Sequence, residues 1–268
     1  MTEADCVELL RWAAPRLGLR WAGFRNVRRI ACKQLARRAR ALGLADAAAY
    51  RALLERDPDE WILLDSYCRI PISRFFRDRA VWERLGAELL PSLAAARRGA
   101  PLAAWSAGCA SGEEPYTLAL VWHAQLAARF PEVALDLLGT DAAPERIARA
   151  ERGLYPPGCL RELPAPLREA AFEPAPDGEM RLRDAFRRGV RFAVGDLRAH
   201  LPDGPFDLVL CRNVAFTYFD EAHQRETLAR LADRLRPGGV LVIGAHEALP
   251  DGADARLAPL GPSLFRRA

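Results

Sequence analysis

"WSAGCASGEEPY" (Trp105–Tyr116) sets two glycines and then two glutamates ahead of a proline and the apolar run "TLALVW". The apolar lead-in "PLAAWSAG" makes this a strand that turns through Gly108 and Gly112 into a helix. Turns of that kind usually hold phosphate, because the first helical N–H groups are unpaired and carry partial positive charge. Two carboxylates at the lip oppose that use. Glu113 and Glu114 would repel a pyrophosphate at close range, and the lysine of a G-x-x-x-x-G-K-[ST] segment is missing.

Moving outward from this turn, short apolar runs recur toward the C-terminus: "VALDLLGTD", "VRFAVGD", "FDLVLCRN" and "GVLVIGAHE". Helical stretches separate several of them, at Tyr116–Phe130, Pro144–Arg152 and Glu221–Leu235. Strands alternating with helices imply a mostly parallel sheet covered on both faces. The proline-rich stretch at about 156–189, with "APDGEMRLRDAF", breaks the rhythm and predicts a small hairpin insertion. "LRPGGVLVIG" predicts a turn that ends one helix and launches a strand.

Toward the N-terminus the period changes. Residues 1 to about 95 carry apolar positions at three- and four-residue spacing, with few β-branched runs. In "RNVRRIACKQLARRARALGL" the spacing puts Arg29, Lys33, Arg37 and Arg40 on one face, with Val27, Ala31 and Leu42 roughly opposite. Asp46 is the predicted N-cap of the next helix. The expected fold class is therefore α/β: a Rossmann-like, mostly parallel sheet with a small β insertion, preceded by a small all-α N-terminal domain. The expected boundaries are 1–72 for the helical domain, 73–95 for a linking helical segment and 96–268 for the sheet domain.

Composition narrows the class. Half of the 268 residues are apolar, enough for a sizeable core, and no stretch is apolar and long enough to cross a bilayer. "MTEADCVELLRW" lacks the basic-then-apolar form of a secretory signal, so the expected location is cytoplasmic, without membrane insertion. The six cysteines are scattered singly, which predicts reduced, mostly buried thiols and no zinc site. His123, His200, His223 and His246 show no ligand spacing, so no metal is expected. The formal net charge of +4 is weakly basic, and without an RRM- or KH-like motif nucleic acid is not an expected partner.

In open α/β sheets ligands bind beyond the carboxyl ends of the strands. Here those ends carry Gly108, Asp141, Asp196, and Arg212 with Asn213. S-adenosylmethionine has no phosphate; it presents a cationic sulfonium and ammonium, and one carboxylate that can use a helix N-terminus. An acidic lip suits it, and Asp141 would then accept hydrogen bonds from the ribose hydroxyls. The plainer alternative is that glutamates in a first helical turn complement the helix dipole.

The same residues carry a family resemblance. "WSAGCASGEEPYTLAL" resembles the cofactor loop of the CheR-type chemotaxis receptor methyltransferases, and "SRFFRD" (Ser73–Asp78) resembles their T-x-F-F-R segment. "FDLVLCRNVAFTYFD" resembles their R-N-V-x-I-Y-F stretch, and "RPGGVLVIGAHEAL" their glycine-rich late strand. The resemblance implies transfer of a methyl group from S-adenosylmethionine to a glutamate side chain of a chemoreceptor, leaving S-adenosylhomocysteine. It implies catalytic roles for Arg77, Arg212 and Tyr218. It implies cofactor contacts from Ser73, Arg77, Ala107, Gly108, Glu113, Asp141, Asp196, Leu197, Arg212 and Asn213. It also implies an acidic protein substrate that meets the basic helix at 25–42.

One departure stands out. The family tyrosine lies five residues after the arginine; here that place is Thr217, and Tyr218 follows. Either the backbone bulges and Tyr218 reaches the site, or Thr217 occupies it. A changed acceptor, a small molecule or another peptide, is the reading this departure motivates. A non-catalytic module that binds the cofactor or its product is a third, against which the retention of Arg77 argues.

Overall fold

The computed structural model describes residues 1–24, 27–70 and 72–268. Arg25 and Asn26, which open the predicted basic stretch 25–42, and Pro71 near the end of the predicted helical domain lie outside the described residues. The chain divides into two compact units, Met1–Pro71 with Val214–Arg225, and Ile72–Asn213 with Glu226–Ala268.

The first unit is helical: α1 (Glu3–Ala13), α2 (Trp21–Phe24), α3 (Arg28–Ala41), α4 (Ala47–Leu54) and α5 (Pro58–Cys68). Side chains close the helix starts. Thr2 and Asp5 form a reciprocal capping box on α1, and the Asp46 carboxylate accepts the Ala49 N–H at 2.8 Å to cap α4 as predicted. Cys6, Leu9, Leu10 and Ala13 of α1 meet Ala31, Cys32, Leu35 and Ala39 of α3 in the core, with Tyr50, Leu54 and Leu64. Arg29, Lys33, Arg37 and Arg40 are exposed, as their helical spacing implies. Of the apolar face expected opposite, Ala31 is buried, but Val27 is the N-cap residue and Leu42 follows the helix and is 39% exposed; Cys32, Leu35 and Ala39 complete the buried face. The expectation of six reduced thiols is also corrected, since Cys6 and Cys32 are joined in a disulfide between α1 and α3.

The second unit is built on a seven-stranded sheet. Its strands are β1 (Leu102–Ala107), β2 (Leu135–Asp141), β6 (Val190–Val194), β7 (Phe206–Cys211), β8 (Leu235–Ile243), β9 (Leu257–Gly261) and β10 (Leu264–Arg267). The order is β6-β2-β1-β7-β8-β10-β9, parallel from β6 through β8, with β10 antiparallel to β8 and to β9. All six residues of the central strand β7, "FDLVLC", are buried, as a strand covered on both faces requires. The helices are α6 (Arg79–Arg84), α7 (Leu90–Ala96), α8 (Glu113–Gln125), α9 (Pro144–Arg152) and α10 (Ala165–Ala171); α11 (Ala215–Tyr218) belongs to the first unit, and α12 (Glu221–Arg234) follows it.

Three features differ from the sequence expectation. The insertion is a three-stranded sheet, β3 (Leu154–Tyr155), β4 (Phe172–Pro174) and β5 (Met180–Leu182), together with α10. It begins ahead of residue 156 because β3 supplies its third strand. "RPGG" is a bulge within β8, where the pairing shifts from Phe206↔Leu235 to Leu208↔Val240. The hairpin β9–β10 went unpredicted, because "RLAPLGPSLFRR" places prolines and arginines where strand alternation would show.

The two ends of the sheet carry different polar groups. At the start of β7, Asp207 accepts the Ala103 N–H at 2.9 Å and lies near Arg97 and Arg236, at 3.5 and 3.4 Å. Those contacts tie strands together. At the opposite end β1 and β7 are neighbours from which the chain winds in opposite directions, the crevice where ligands settle in this class of sheet.

Candidate active site at the strand ends

The turn after β1 has three left-handed residues, Gly108 (φ 79), Ala110 (φ 50) and Gly112 (φ 88). Only glycine fits at 112, since a Cβ there would lie 2.9 Å from the Ala150 Cβ and 3.1 Å from the Tyr155 hydroxyl. Every N–H in the turn is spent internally. Gly108 and Cys109 both donate to the Thr140 carbonyl at 2.8 Å, and Gly112 donates to the Cys109 carbonyl at 3.0 Å. Ala110 donates to the Asp141 carboxylate at 2.9 Å, and Ser111 to the Glu113 carboxylate at 3.1 Å. The amides of residues 108–112 are thus all engaged within the protein. Carboxylates, not a ligand's phosphate, accept the Ala110 and Ser111 amides.

Asp141 also accepts the Ala143 N–H at 3.0 Å and lies 3.7 Å from Arg146, so it pins the glycine turn to the tip of β2. Tyr155, from the insertion, donates to the Ser111 carbonyl at 2.7 Å and buttresses the same turn. Neither Tyr155 nor Thr117, whose hydroxyl accepts the Phe76 N–H at 3.1 Å, was foreseen; no sequence motif marks such long-range props.

The turn lies in a negative field. Burial pushes the Glu113 carboxyl above its ordinary pKa, against hydrogen bonds from its own amide, the Ser73 side chain and the Ser111 amide. Burial likewise raises Glu114, partly offset by the charge of Arg212. The Cys109 thiol is raised by burial and then by Asp141, Glu114 and Glu113 acting together. Spent amides and converging carboxylates fit a cationic ligand without phosphate, and S-adenosylmethionine meets that description. Glu113, Asp141 and the backbone at Gly108 would hold it.

Glu114 departs from the expected lip. It turns inward, accepting from the Ser106 hydroxyl at 2.7 Å and from Arg212 at 3.1 Å. Arg212, just past β7, has a side chain 2% exposed. It also donates to the Asp78 carboxylate at 2.8 Å and to the Arg77 carbonyl at 2.9 Å, and its guanidinium lies over the Trp82 ring at 5.1 Å. Its Nε is buried without a hydrogen-bond partner. Arg77 donates from one end of its guanidinium to the Ile72 carbonyl at 2.9 Å and from the other to the Asn213 side-chain oxygen at 3.2 Å.

The structure thus brings Ser73 to Glu113, and Arg77, Arg212 and Asn213 to one another. Ala107 ends β1 fully buried. Past β6, the Asp196 carboxylate accepts from the Arg198 guanidinium at 2.7 Å, and Leu197 is buried. Tyr218 is in α11 of the helical unit, where its ring packs on Phe24 with centroids 5.3 Å apart. Among the described residues no group of three or more His, Cys, Asp or Glu is placed to hold a metal ion. No helix among them is long and apolar enough to cross a membrane.

A parallel sheet with an acidic glycine turn at its switch point defines a Rossmann-like, S-adenosylmethionine-dependent methyltransferase. Residues 72–260 match the family model described as "CheR methyltransferase, SAM binding domain". The chain belongs to the CheR methyltransferase family. A chemotaxis protein methyltransferase of Listeria monocytogenes is 37% identical over 207 residues, 76% of each chain. One from Pseudomonas aeruginosa is 34% identical over 204 residues, covering 72% of each chain. One from Vibrio anguillarum is 34% identical over 180 residues, covering 65% of this chain and 64% of the relative.

Proposed function

We propose that this methyltransferase esterifies a glutamate side chain of a chemoreceptor-like protein in the cytoplasm. The observation that carries the reading is the tethering of Arg77 at the tip of β7, beside a turn whose donors are spent and whose charge is negative. S-adenosylmethionine, when bound, would supply an electrophilic methyl group for an acceptor carboxylate oxygen and would be left as S-adenosylhomocysteine. The acceptor, ionised above a reference pKa of about 4.3, needs no general base. The protein's task is aim. Arg77 orients the acceptor carboxylate through paired hydrogen bonds. Arg212, enclosed by Glu114, Asp78 and Trp82, fixes the Arg77 backbone. Ser73, Ala107, Gly108, Glu113, Asp141, Asp196, Leu197 and Asn213 frame the donor. The exposed Arg29, Lys33, Arg37 and Arg40 of α3 attract the acidic substrate.

A second reading keeps the donor and changes the acceptor. The packing of Tyr218 on Phe24 favours it, since the family tyrosine is displaced by one residue. Incubating labelled S-adenosylmethionine with a glutamate-bearing receptor fragment separates the two. The first reading expects base-labile label on glutamate and, in Arg77→Ala, a loss of turnover on the order of 10²-fold with S-adenosylhomocysteine binding retained. Label found only on another acceptor sinks the glutamate reading, and full turnover by Arg77→Ala sinks the role of Arg77.

A further inference from the structure

Glu247 lies in the turn after β8, where its sequence setting suggests no more than support. One of its carboxylate oxygens accepts the Asn213 N–H at 2.8 Å and the Gly244 N–H at 2.6 Å. A single charged acceptor therefore staples the tip of β7 to the tip of its neighbour β8. Asn213 is held there with φ 58, a left-handed conformation that asparagine tolerates better than most residues. Its side-chain oxygen then faces Arg77 at 3.2 Å. Gly244 makes room for this arrangement: a Cβ on it would lie 2.8 Å from the Glu247 carboxylate and 3.0 Å from the Asn213 side-chain oxygen.

We infer that Glu247 is a positioning residue for Arg77, acting through Asn213. The guanidinium has two anchors, the Ile72 carbonyl and Asn213. Releasing Asn213 leaves it fixed at one end only, free to rotate away from the acceptor. The relay Glu247–Asn213–Arg77 converts the spacing of two parallel strands into the aim of one side chain. The inference rests on the proposed role of Arg77 in orienting the acceptor.

The test is a mutant cycle in the full chain, with turnover, KM for S-adenosylmethionine, S-adenosylhomocysteine affinity and melting temperature measured for each variant. Glu247→Ala and Asn213→Gly should each lower kcat by about ten-fold or more, approaching the order of 10²-fold that a misplaced aiming group costs. KM for the donor and product affinity should stay near wild type in Glu247→Ala, whereas Asn213→Gly, at a residue that also frames the donor, is read on kcat. Glu247→Gln keeps an acceptor oxygen and should recover most of the rate. In the Arg77→Ala background, Glu247→Ala should cost nothing further, because both changes remove the same interaction. Asn213→Gly preserves the left-handed backbone and deletes the contact with Arg77, so it carries the cycle if Glu247→Ala fails to fold. Additive losses, or an unchanged kcat in Asn213→Gly, overturn the relay while leaving the Arg77 role intact. Full turnover in Arg77→Ala removes that role, and the relay with it.

Discussion

Each unit of the molecule buries a carboxylate against an arginine, and the two pairs differ in sign. In the helical unit Glu60 is 2% exposed and accepts two hydrogen bonds from Arg38, at 3.2 and 2.7 Å, and one from the Tyr50 hydroxyl. Burial pushes its carboxyl up, but those bonds outweigh burial and leave its pKa below the ordinary value. In the sheet unit Glu114 has Arg212 and Ser106, and burial prevails: its pKa is raised. Arg38 keeps 35% of its side chain exposed, whereas Arg212 keeps 2%. A guanidinium that stays wet has lost little hydration; one taken wholly inside has lost nearly all of it and must recover that from its partners. The helical unit thus places its cations where they cost little. The sheet unit holds a costly one at the strand ends, where the chemistry is proposed to occur.

That contrast is broken most directly at Arg212. Arg212→Ala leaves Glu114 and Asp78 without their cation, and chemical denaturation should show a loss of about 3–5 kcal/mol. A loss below about 1 kcal/mol, the size of an exposed pair, would erase the distinction between the two units. A smaller effect is expected inside the helical unit. The Cys6–Cys32 bond closes a sequence separation of 26 residues. Replacing both with serine, or reducing the wild-type chain, should lower stability by roughly 3 kcal/mol on chain-entropy grounds. Denaturation midpoints that do not respond to a thiol reductant would show that the pair contributes nothing. The smallest expected effect belongs to the exposed row. Exchanging Arg29, Lys33, Arg37 and Arg40 for glutamate should move stability by no more than about 0.5 kcal/mol per site. The same exchange turns attraction into repulsion and should reverse the salt dependence of methylation of an acidic protein acceptor, so that the initial rate rises with ionic strength where the wild-type rate falls. Equal salt dependence in wild type and variant would separate α3 from substrate attraction.

Much of this architecture was legible before any coordinates. The five parallel strands announced themselves as apolar runs. For the inner strands β1 and β7 the reason is burial on both faces, which leaves few polar positions. The edge strand β6 showed itself by its β-branched and aromatic residues, although it is largely exposed. The exposed face of α3 followed from helical spacing, and the acidic turn from two glutamates where a phosphate site would exclude them. The insertion and the hairpin β9–β10 were harder. Their strands are short, and Pro174 and Pro259 sit inside them, which local propensity disfavours and tertiary pairing overrides.

Sequence alone settled which residue types stand at the ends of the strands, and hence the sign of charge a ligand there must carry, since order along the chain and helix or strand period are local properties. Only the tertiary structure decided what each of those residues faces. Glu113 and Glu114 are adjacent in sequence, yet one meets Ser73 and the Ser111 amide while the other meets Arg212, 98 residues away. A helix turns its successive side chains in different directions, so adjacent glutamates meet partners that no local rule can name.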